Sequence, residues 1–184
     1  MSWTIDPAHS HIQFAVRHMM ISTVRGEFES FSGTIDFDPD RPEQTQVYAE
    51  VDTASLTTRD ETRDNHLRSA DFFSAGAYPV MTFESTRVEP QGARKGKLIG
   101  DLTIRDITRE VILDVEYAGM AQSPWGQTSA GFSASTTINR KEWGLNWNQA
   151  LETGGVLVGD SVKIHIELEL IKVDEREAEA VAAD

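Results

Sequence analysis

The sequence contains no cysteine, which excludes disulfides, thiolate catalysis and cysteine-ligated metal sites. Long hydrophobic runs are also missing: uninterrupted apolar stretches reach only a few residues, whereas a transmembrane helix needs about 20. Basic residues are scarce, since 17 Lys and Arg stand against 30 Asp and Glu and leave a formal net charge of −13. Such a chain is repelled by nucleic-acid phosphates and by anionic membrane surfaces. We therefore predict no nucleic-acid partner and no membrane insertion.

The N-terminus shows no basic segment followed by an apolar stretch and a small-residue cleavage site, so we expect a cytoplasmic protein. A chain already trimmed of its signal would read the same. A length of 184 residues suits one domain, which we place at residues 1–173. Residues 174–184 hold five acids and one base, which together carry four of the thirteen net negative charges. We predict that this acidic C-terminal tail is disordered.

Period-two alternation of apolar and polar residues dominates the chain and is typical of β-strands. The clearest case runs from Val162 to Leu170, and a one-residue slip of the pattern at Ser30 indicates a β-bulge. The pattern predicts about eight strands whose short connections favour antiparallel pairing. One helix is predicted over residues 59–69, starting at a capping box formed by Thr58 and Glu61.

Eight amphipathic strands must bury one face, and a sandwich or a closed barrel can do so. We favour the barrel, since closure removes exposed strand edges and eight strands leave room for side chains or one small ligand. The twelve residues from Ser161 to Lys172 would span about 40 Å along the strand, or roughly 30 Å along a barrel axis. The predicted interior is therefore long as well as apolar.

The residues that we predict to face inward are nearly all apolar, and several inward positions are small, such as Ala49, Gly100 and Ala130. A filled core explains such alternation slightly better, because buried alternation is mostly core, so a structural or interaction barrel with a filled core stays an open alternative. If a long apolar ligand occupies the interior, its contacts are Phe14, Val16, Phe28, Phe37, Phe83, Leu102, Ile104, Val111, Leu113, Phe132, Ala134 and Ile166. Trp143 and Trp147 would then either close one barrel end or contact the ligand there.

Several short segments, taken in order along the chain, carry a resemblance to a known family. They are Trp3–Ser10, Phe14–His18, Gly26–Phe28, Phe31–Pro39, Arg63–Phe73, Tyr78–Pro79, Gly100–Ile104, Asn139–Leu145 and Val158–Asp160. Over residues 3–173 this series resembles the YceI-like family of polyisoprenoid-binding proteins. The resemblance implies an all-β fold, an eight-stranded lipocalin-like barrel with one short helix, which holds a polyisoprenoid in its interior. It also implies a homodimer, and many relatives are periplasmic.

The resemblance therefore implies non-enzymatic binding, transport or storage of a prenyl pyrophosphate or an isoprenoid quinone, with no cofactor besides the bound lipid. Because an arginine fork matches phosphate geometry, five arginines near the predicted rims are candidates for a head group. They are Arg17, Arg25, Arg63, Arg68 and Arg140.

A metal-dependent enzyme is the other alternative. His9 and His11 share a strand face, and His18 or His66 could join them. However, no recognised metal-ligand spacing or nucleophile elbow is present, so we predict neither a metal site nor catalytic residues.

Overall fold

The computed structural model describes residues 1–173 and contains a sheet of eleven β-strands within them. The strands are β1 (Ser2–Ile5), β2 (His11–His18), β3 (Ser22–Phe28), β4 (Phe31–Asp36), β5 (Gln46–Asp52), β6 (Leu56–Thr57), β7 (Val80–Pro90), β8 (Lys95–Ile104), β9 (Ile107–Gln122), β10 (Thr128–Asn139) and β11 (Val158–Lys172). The helix α1 spans Glu61–Arg68, and short 3-10 turns lie at Pro7–His9, Pro42–Gln44, Thr53–Ser55 and Arg140–Trp143. The tail at residues 174–184, for which we predict disorder, lies outside the described residues.

The sheet closes into a barrel. Hydrogen-bonded neighbours run β1-β4-β5-β7-β8-β9-β10-β11, and β11 returns to β1. Every pairing around this ring is antiparallel, and this confirms the predicted eight-stranded barrel. The remaining strands β2, β3 and β6 extend the sheet from the edge of β11 on which β1 also lies.

Short interruptions divide what are, in effect, continuous strands. The Pro7–His9 turn separates β1 from β2, and both strands pair with the same edge of β11. The predicted irregularity at Ser30 is present as the break between β3 and β4. There, the Ser30 amide donates to the Ser55 hydroxyl, and the Ser30 carbonyl accepts from the Asp52 amide. These two hydrogen bonds, one to a side chain and one to the backbone, satisfy the Ser30 groups that a regular ladder would otherwise pair.

The helix begins two residues later than the sequence predicts. Asp60, rather than Thr58, caps it, since the Asp60 carboxylate accepts from the Arg63 amide. Thr58 instead donates both its amide and its hydroxyl to the buried Asp64 carboxylate. Arg59 has a φ of 62°, which is incompatible with an α-helix. The helix consequently spans 8 residues, and within residues 1–173 no helix has the length and apolar character needed to cross a bilayer.

Trp3 stabilises the point of closure. This residue of β1 lies opposite Ile35 of β4 and Lys172 of β11, and its side chain is fully buried. The indole nitrogen donates to the carbonyl of Phe37 at 3.0 Å. A buried indole with its polar group satisfied supplies a large apolar contact at the seam between the first and last strands.

We expect Trp3→Ala to lower the free energy of unfolding by about 3–5 kcal/mol, because it leaves a large cavity at this seam. Trp125→Ala is the matched control: Trp125 is 90% exposed, so its truncation should change stability by less than about 0.5 kcal/mol. Denaturant titration of both variants measures the difference. Equal losses would contradict a special role for Trp3 in closure.

Candidate functional site

A long apolar cavity of about 750 Å³ lies inside the barrel. Its wall includes alternate residues of β11, namely Val162, Ile164, Ile166 and Leu168, together with inward residues of the neighbouring strands. These side chains are half-buried although they face inward, since they border open space and not other side chains. The cavity contradicts the alternative in which side chains fill the barrel completely. Its size falls in the usual range for small-molecule sites.

Two glycines help to keep the cavity open. Gly26 lies directly across from Phe14 in the β2–β3 pairing, and a Cβ at Gly26 would come within 2.4 Å of the Phe14 ring. A Cβ at Gly100 would similarly come within 2.6 Å of the Phe83 ring. Both rings therefore occupy wall space that a side chain would otherwise take. An aromatic ring that lies over a glycine leaves more of the barrel axis free.

One barrel end, which we call the aromatic end, is packed by Trp3, Phe37, Tyr117 and Phe132. Phe37 contacts the rings of Phe132 and Tyr117 at centroid distances of 5.0 and 5.4 Å in edge-to-face geometry. Buried Ala130 and Leu170 complete this cluster. Beside it lies a smaller cavity of about 150 Å³.

The opposite end is the mouth of the cavity. Here His66 of α1 packs edge-on against Trp147 and Phe72, with centroid distances of 4.5 and 5.1 Å. The polar residues of the cavity wall are concentrated in α1, its N-cap and the nearby ends of strands, and include Asp60, Thr62, Arg63, Arg17 and His18. The wall thus changes from hydrocarbon in the barrel to polar groups at the mouth.

Arg140 stabilises the mouth of the cavity through hydrogen bonds to the backbone. Its guanidinium is buried and donates to the carbonyls of Gly159, Leu145, Trp147 and Val158. Desolvation lowers the pKa of this guanidinium, and the nearby Asp160 carboxylate opposes the shift. These bonds tie the segment 145–158 to the start of β11. Although Arg140 borders the cavity, its donors are engaged with backbone, so the structure gives it a positioning role.

Most of the apolar residues that the sequence analysis proposes for ligand contact line this cavity. They are Phe14, Val16, Phe28, Phe83, Leu102, Ile104, Val111, Leu113, Ala134, Trp147 and Ile166. Three do not. Phe37 and Phe132 belong to the aromatic end and line the smaller cavity, because the interior narrows where their rings meet. Trp143 is buried behind the wall, where its indole nitrogen donates to the Leu102 carbonyl.

The arginines predicted for a head group separate in the same way. Arg17 and Arg63 lie at the mouth. Arg25 lies elsewhere, in a polar groove with Lys163 and His165. Arg68 donates to the carbonyls of Ala54 and Leu56, so it joins α1 to the β5–β6 connection and does not line the cavity.

Besides Arg63 of the helix and Trp147 of a loop, the cavity is lined by residues outside the strands that the sequence did not assign to it. His66, Phe72, Phe73, Leu145 and Leu157 all line it. Their segments lack the two-residue alternation that identifies strand residues, and no local signal shows which of these side chains would reach the interior. Leu67 of the helix also lines the cavity, whereas Ala70 is exposed beyond the end of the helix.

Within residues 1–173, Asp6, His9 and Glu169 form the one group of side chains with metal-ligand spacing. His11 and His18 are not part of it, so the histidines of the alternative metal-dependent enzyme do not come together. The His9 Nδ1 atom lies 2.8 Å from the Asp6 carboxylate, and this hydrogen bond raises the pKa of His9. None of the three residues lines the cavity.

Comparisons with known proteins agree with this architecture. The YceI-like domain matches residues 3–170. The UPF0312 protein SA2479 of Staphylococcus aureus (strain N315) is 39% identical over 169 residues, which cover 91% of this chain and 96% of that protein.

Among solved structures, Burkholderia cenocepacia BcnA superposes with a TM-score of 0.76 at 26% identity, covering 92% of this chain and 99% of BcnA. The Campylobacter jejuni YCEI protein superposes with a TM-score of 0.74 at 34% identity, covering 86% and 90%. A polyisoprenoid binding domain from Saccharophagus degradans shares the fold, with a TM-score of 0.62 at 15% identity and coverage of 91% and 97%.

We expect Gly26→Ala to turn the Phe14 ring into the cavity, because the new Cβ would lie 2.4 Å from the ring. The free energy of unfolding should fall by about 1–3 kcal/mol, as for other overpacked sites. Gly76→Ala is the control, since a Cβ there meets nothing within 4 Å. Crystal structures and denaturant titration of both variants test this expectation. An unmoved ring with unchanged stability would contradict it.

Asp6→Asn should lower the pKa of His9 toward its ordinary value of 6.5, because it removes the carboxylate that stabilises the imidazolium. NMR titration of the histidine rings measures this shift. Glu167→Gln is the control, since Glu167 contacts His165 and not His9. With its pKa raised by folding, His9 stabilises the fold fully below pH 6.5, and the contribution disappears as the pH rises through the raised pKa.

Proposed function

Because this chain belongs to the YceI-like family and encloses a long apolar cavity, we propose that it binds a polyisoprenoid lipid and carries or stores it without chemical change. The observation that carries the proposal is the cavity itself. Its wall between the two barrel ends is formed almost entirely by aliphatic and aromatic side chains. Burial of an apolar ligand there is favourable by about 25 cal/mol per Å² before the costs of ordering.

The cavity volume limits the length of the ligand. A cavity of about 150 Å³ lined by Leu, Ile and Phe binds one benzene ring of six carbons. In proportion, the 750 Å³ available here would hold roughly 30 carbons, about six isoprene units. An unsaturated hydrocarbon chain of this size fits a long barrel better than a compact ligand does.

The direction of the ligand follows from the positions of the polar groups. The hydrocarbon would extend toward the aromatic end, with its head at the mouth beside Arg17 and Arg63. Thr58 holds Arg63 in place through its hydroxyl, at 2.7 Å, and its carbonyl, at 2.9 Å. A guanidinium at this place suits a pyrophosphate, and the neighbouring Thr62 and His66 suit a quinone oxygen.

The comparisons support a binding role. The Saccharophagus degradans domain, which shares this fold, is described as polyisoprenoid binding. Transport, the homodimer and the cytoplasmic location stay predictions. The Asp6, His9 and Glu169 group, which has metal-ligand spacing, lies outside the cavity.

Native mass spectrometry of the gently purified protein tests the proposal, with uptake of an added C30 polyprenol as the second measurement. We expect an adduct of one lipid per chain. Repeated spectra without an adduct, together with no uptake of the polyprenol, would refute the binding role. Leu102→Asp, which places a charge in the wall, should abolish uptake in a folded variant.

A bore-filling variant tests the location of the ligand without adding charge. Ala134→Phe places a ring in the cavity and should reduce polyprenol uptake at least tenfold. Ser135→Phe is the matched control, because Ser135 is the next residue of β10 and is exposed on the outer face. Equal uptake by the two variants would mean that the ligand binds elsewhere.

A further inference from the structure

The hairpin between β2 and β3 exposes an apolar tip beside the mouth of the cavity. Met19, Met20 and Ile21 are 43%, 58% and 78% exposed, and Val156 of the adjacent loop is 37% exposed. We call these four residues the apolar tip. Single exposed apolar residues are ordinary, but three in succession with a fourth nearby form a patch that requires an explanation.

The backbone of this turn is unfavourable for the residues that it carries. Met19 and Met20 have φ angles of 52° and 66°, and the Ile21 amide donates to the His18 carbonyl. This is the arrangement of a tight hairpin turn in which Asn and Gly are strongly preferred at the two central positions. Methionine does not stabilise this backbone conformation, so we attribute its presence to a role of the exposed side chains.

Hydrogen bonds join the apolar tip to residues of the cavity wall. The Met19 amide donates to the Leu157 carbonyl at 2.8 Å, and Arg17 donates to the Met20 carbonyl at 3.1 Å. Both Leu157 and Arg17 line the cavity. A surface that the tip contacts would therefore lie directly against the mouth.

The charge of the hairpin also differs from that of the chain. The protein contains 30 Asp and Glu residues, yet none occurs from Pro7 to Gly26, a segment that includes Arg17 and Arg25. Burial of a carboxylate at a lipid surface is costly. The hairpin avoids this cost, and Arg17, which lies at the mouth, suits the phosphates of lipid head groups.

The prediction of no membrane insertion rests on the net charge of the whole chain and on the lack of a spanning segment, and neither describes this local surface. We propose that the apolar tip inserts into the surface of a lipid bilayer, so that a hydrocarbon ligand passes between bilayer and cavity without crossing water. The inference rests on the proposed function in one respect, that the ligand is a lipid. A second exposed group, Trp125 with Met120, lies at the aromatic end, far from the mouth, and cannot serve this passage. That separation supplies a matched control.

Flotation with phosphatidylcholine vesicles tests the insertion directly and needs no ligand. We expect the protein to float with the vesicles. In the double variant Met20→Asp/Ile21→Asp, the vesicle-bound fraction should fall at least tenfold. Trp125→Asp should float like the unmodified protein. Equal flotation of the two variants, or no flotation of the unmodified protein, would overturn the proposal.

A second variant separates the exposed side chains from the fold. Met19→Asn/Met20→Gly places the residues that this turn prefers. We expect its thermal unfolding midpoint to be unchanged or higher, while vesicle association falls as in the Asp variant. If association persists, the methionine side chains are not the docking groups.

The rate of lipid transfer links the tip to the cavity. Transfer of the C30 polyprenol from donor vesicles to the protein should slow at least tenfold in Met20→Asp/Ile21→Asp, while equilibrium uptake from detergent stays unchanged. If the unmodified protein takes up no polyprenol from detergent, the proposed function is refuted. The flotation experiment would still test membrane insertion of the tip. A change from dimer to monomer caused by the variant, without loss of flotation, would identify the tip as a contact between two copies and overturn the proposal.

Discussion

The whole architecture depends on the pairing of β11 along both of its edges. One edge pairs with β10 from Ser161 to Ile171, and the other pairs first with β2 and then with β1. The last strand of the barrel is thereby paired with the first, and this pairing closes the ring. Because side chains alternate along β11, the same pairing determines which of its residues face the interior. Val162, Ile164, Ile166 and Leu168 border the cavity, and Leu170 is buried in the aromatic end.

The cavity exists because side chains pack across the barrel at the aromatic end but not along its middle. At the aromatic end, Trp3, Phe37, Tyr117 and Phe132 are large enough to meet across the axis. Between the ends, small residues such as Ala49 and Ala134 alternate with rings that lie over glycines. In an eight-stranded barrel, side chains of ordinary size just fill the interior. The presence of small residues at inward positions therefore decides whether a cavity remains.

The mouth joins three separate pieces of chain. The helix brings His66, the segment before β11 brings Trp147, and the β2–β3 hairpin brings Arg17 and the apolar tip. Arg140 stabilises the segment that carries Trp147, because its guanidinium donates to the carbonyls of both Trp147 and Gly159. A polar residue buried inside the protein thus positions the opening of an apolar cavity. The histidines, in contrast, are spread between the mouth and the outer surface, and the part of the chain that the structure describes brings no two of them into one metal-ligand group.

The long strands, their inward faces and the break at Ser30 follow from the sequence alone, because alternation with a period of two is a local property of an amphipathic strand. Residues such as Leu102 and Ile166 could therefore be assigned to the interior in advance. The short strands β1 and β6 do not follow from it, since they are too short to show this alternation. Strand pairing in the folded protein determines that Phe37 and Phe132 pack together whereas Phe14 and Phe83 border open space. All four look alike in the alternation, but the space before each ring depends on residues brought opposite it by strand register and closure. The position of Trp143 behind the wall also depends on a contact across the fold, the hydrogen bond from its indole to the Leu102 carbonyl. The start of the helix at Glu61 depends on the hydrogen bonds of Thr58 to Asp64, which the capping pattern in the sequence did not reveal.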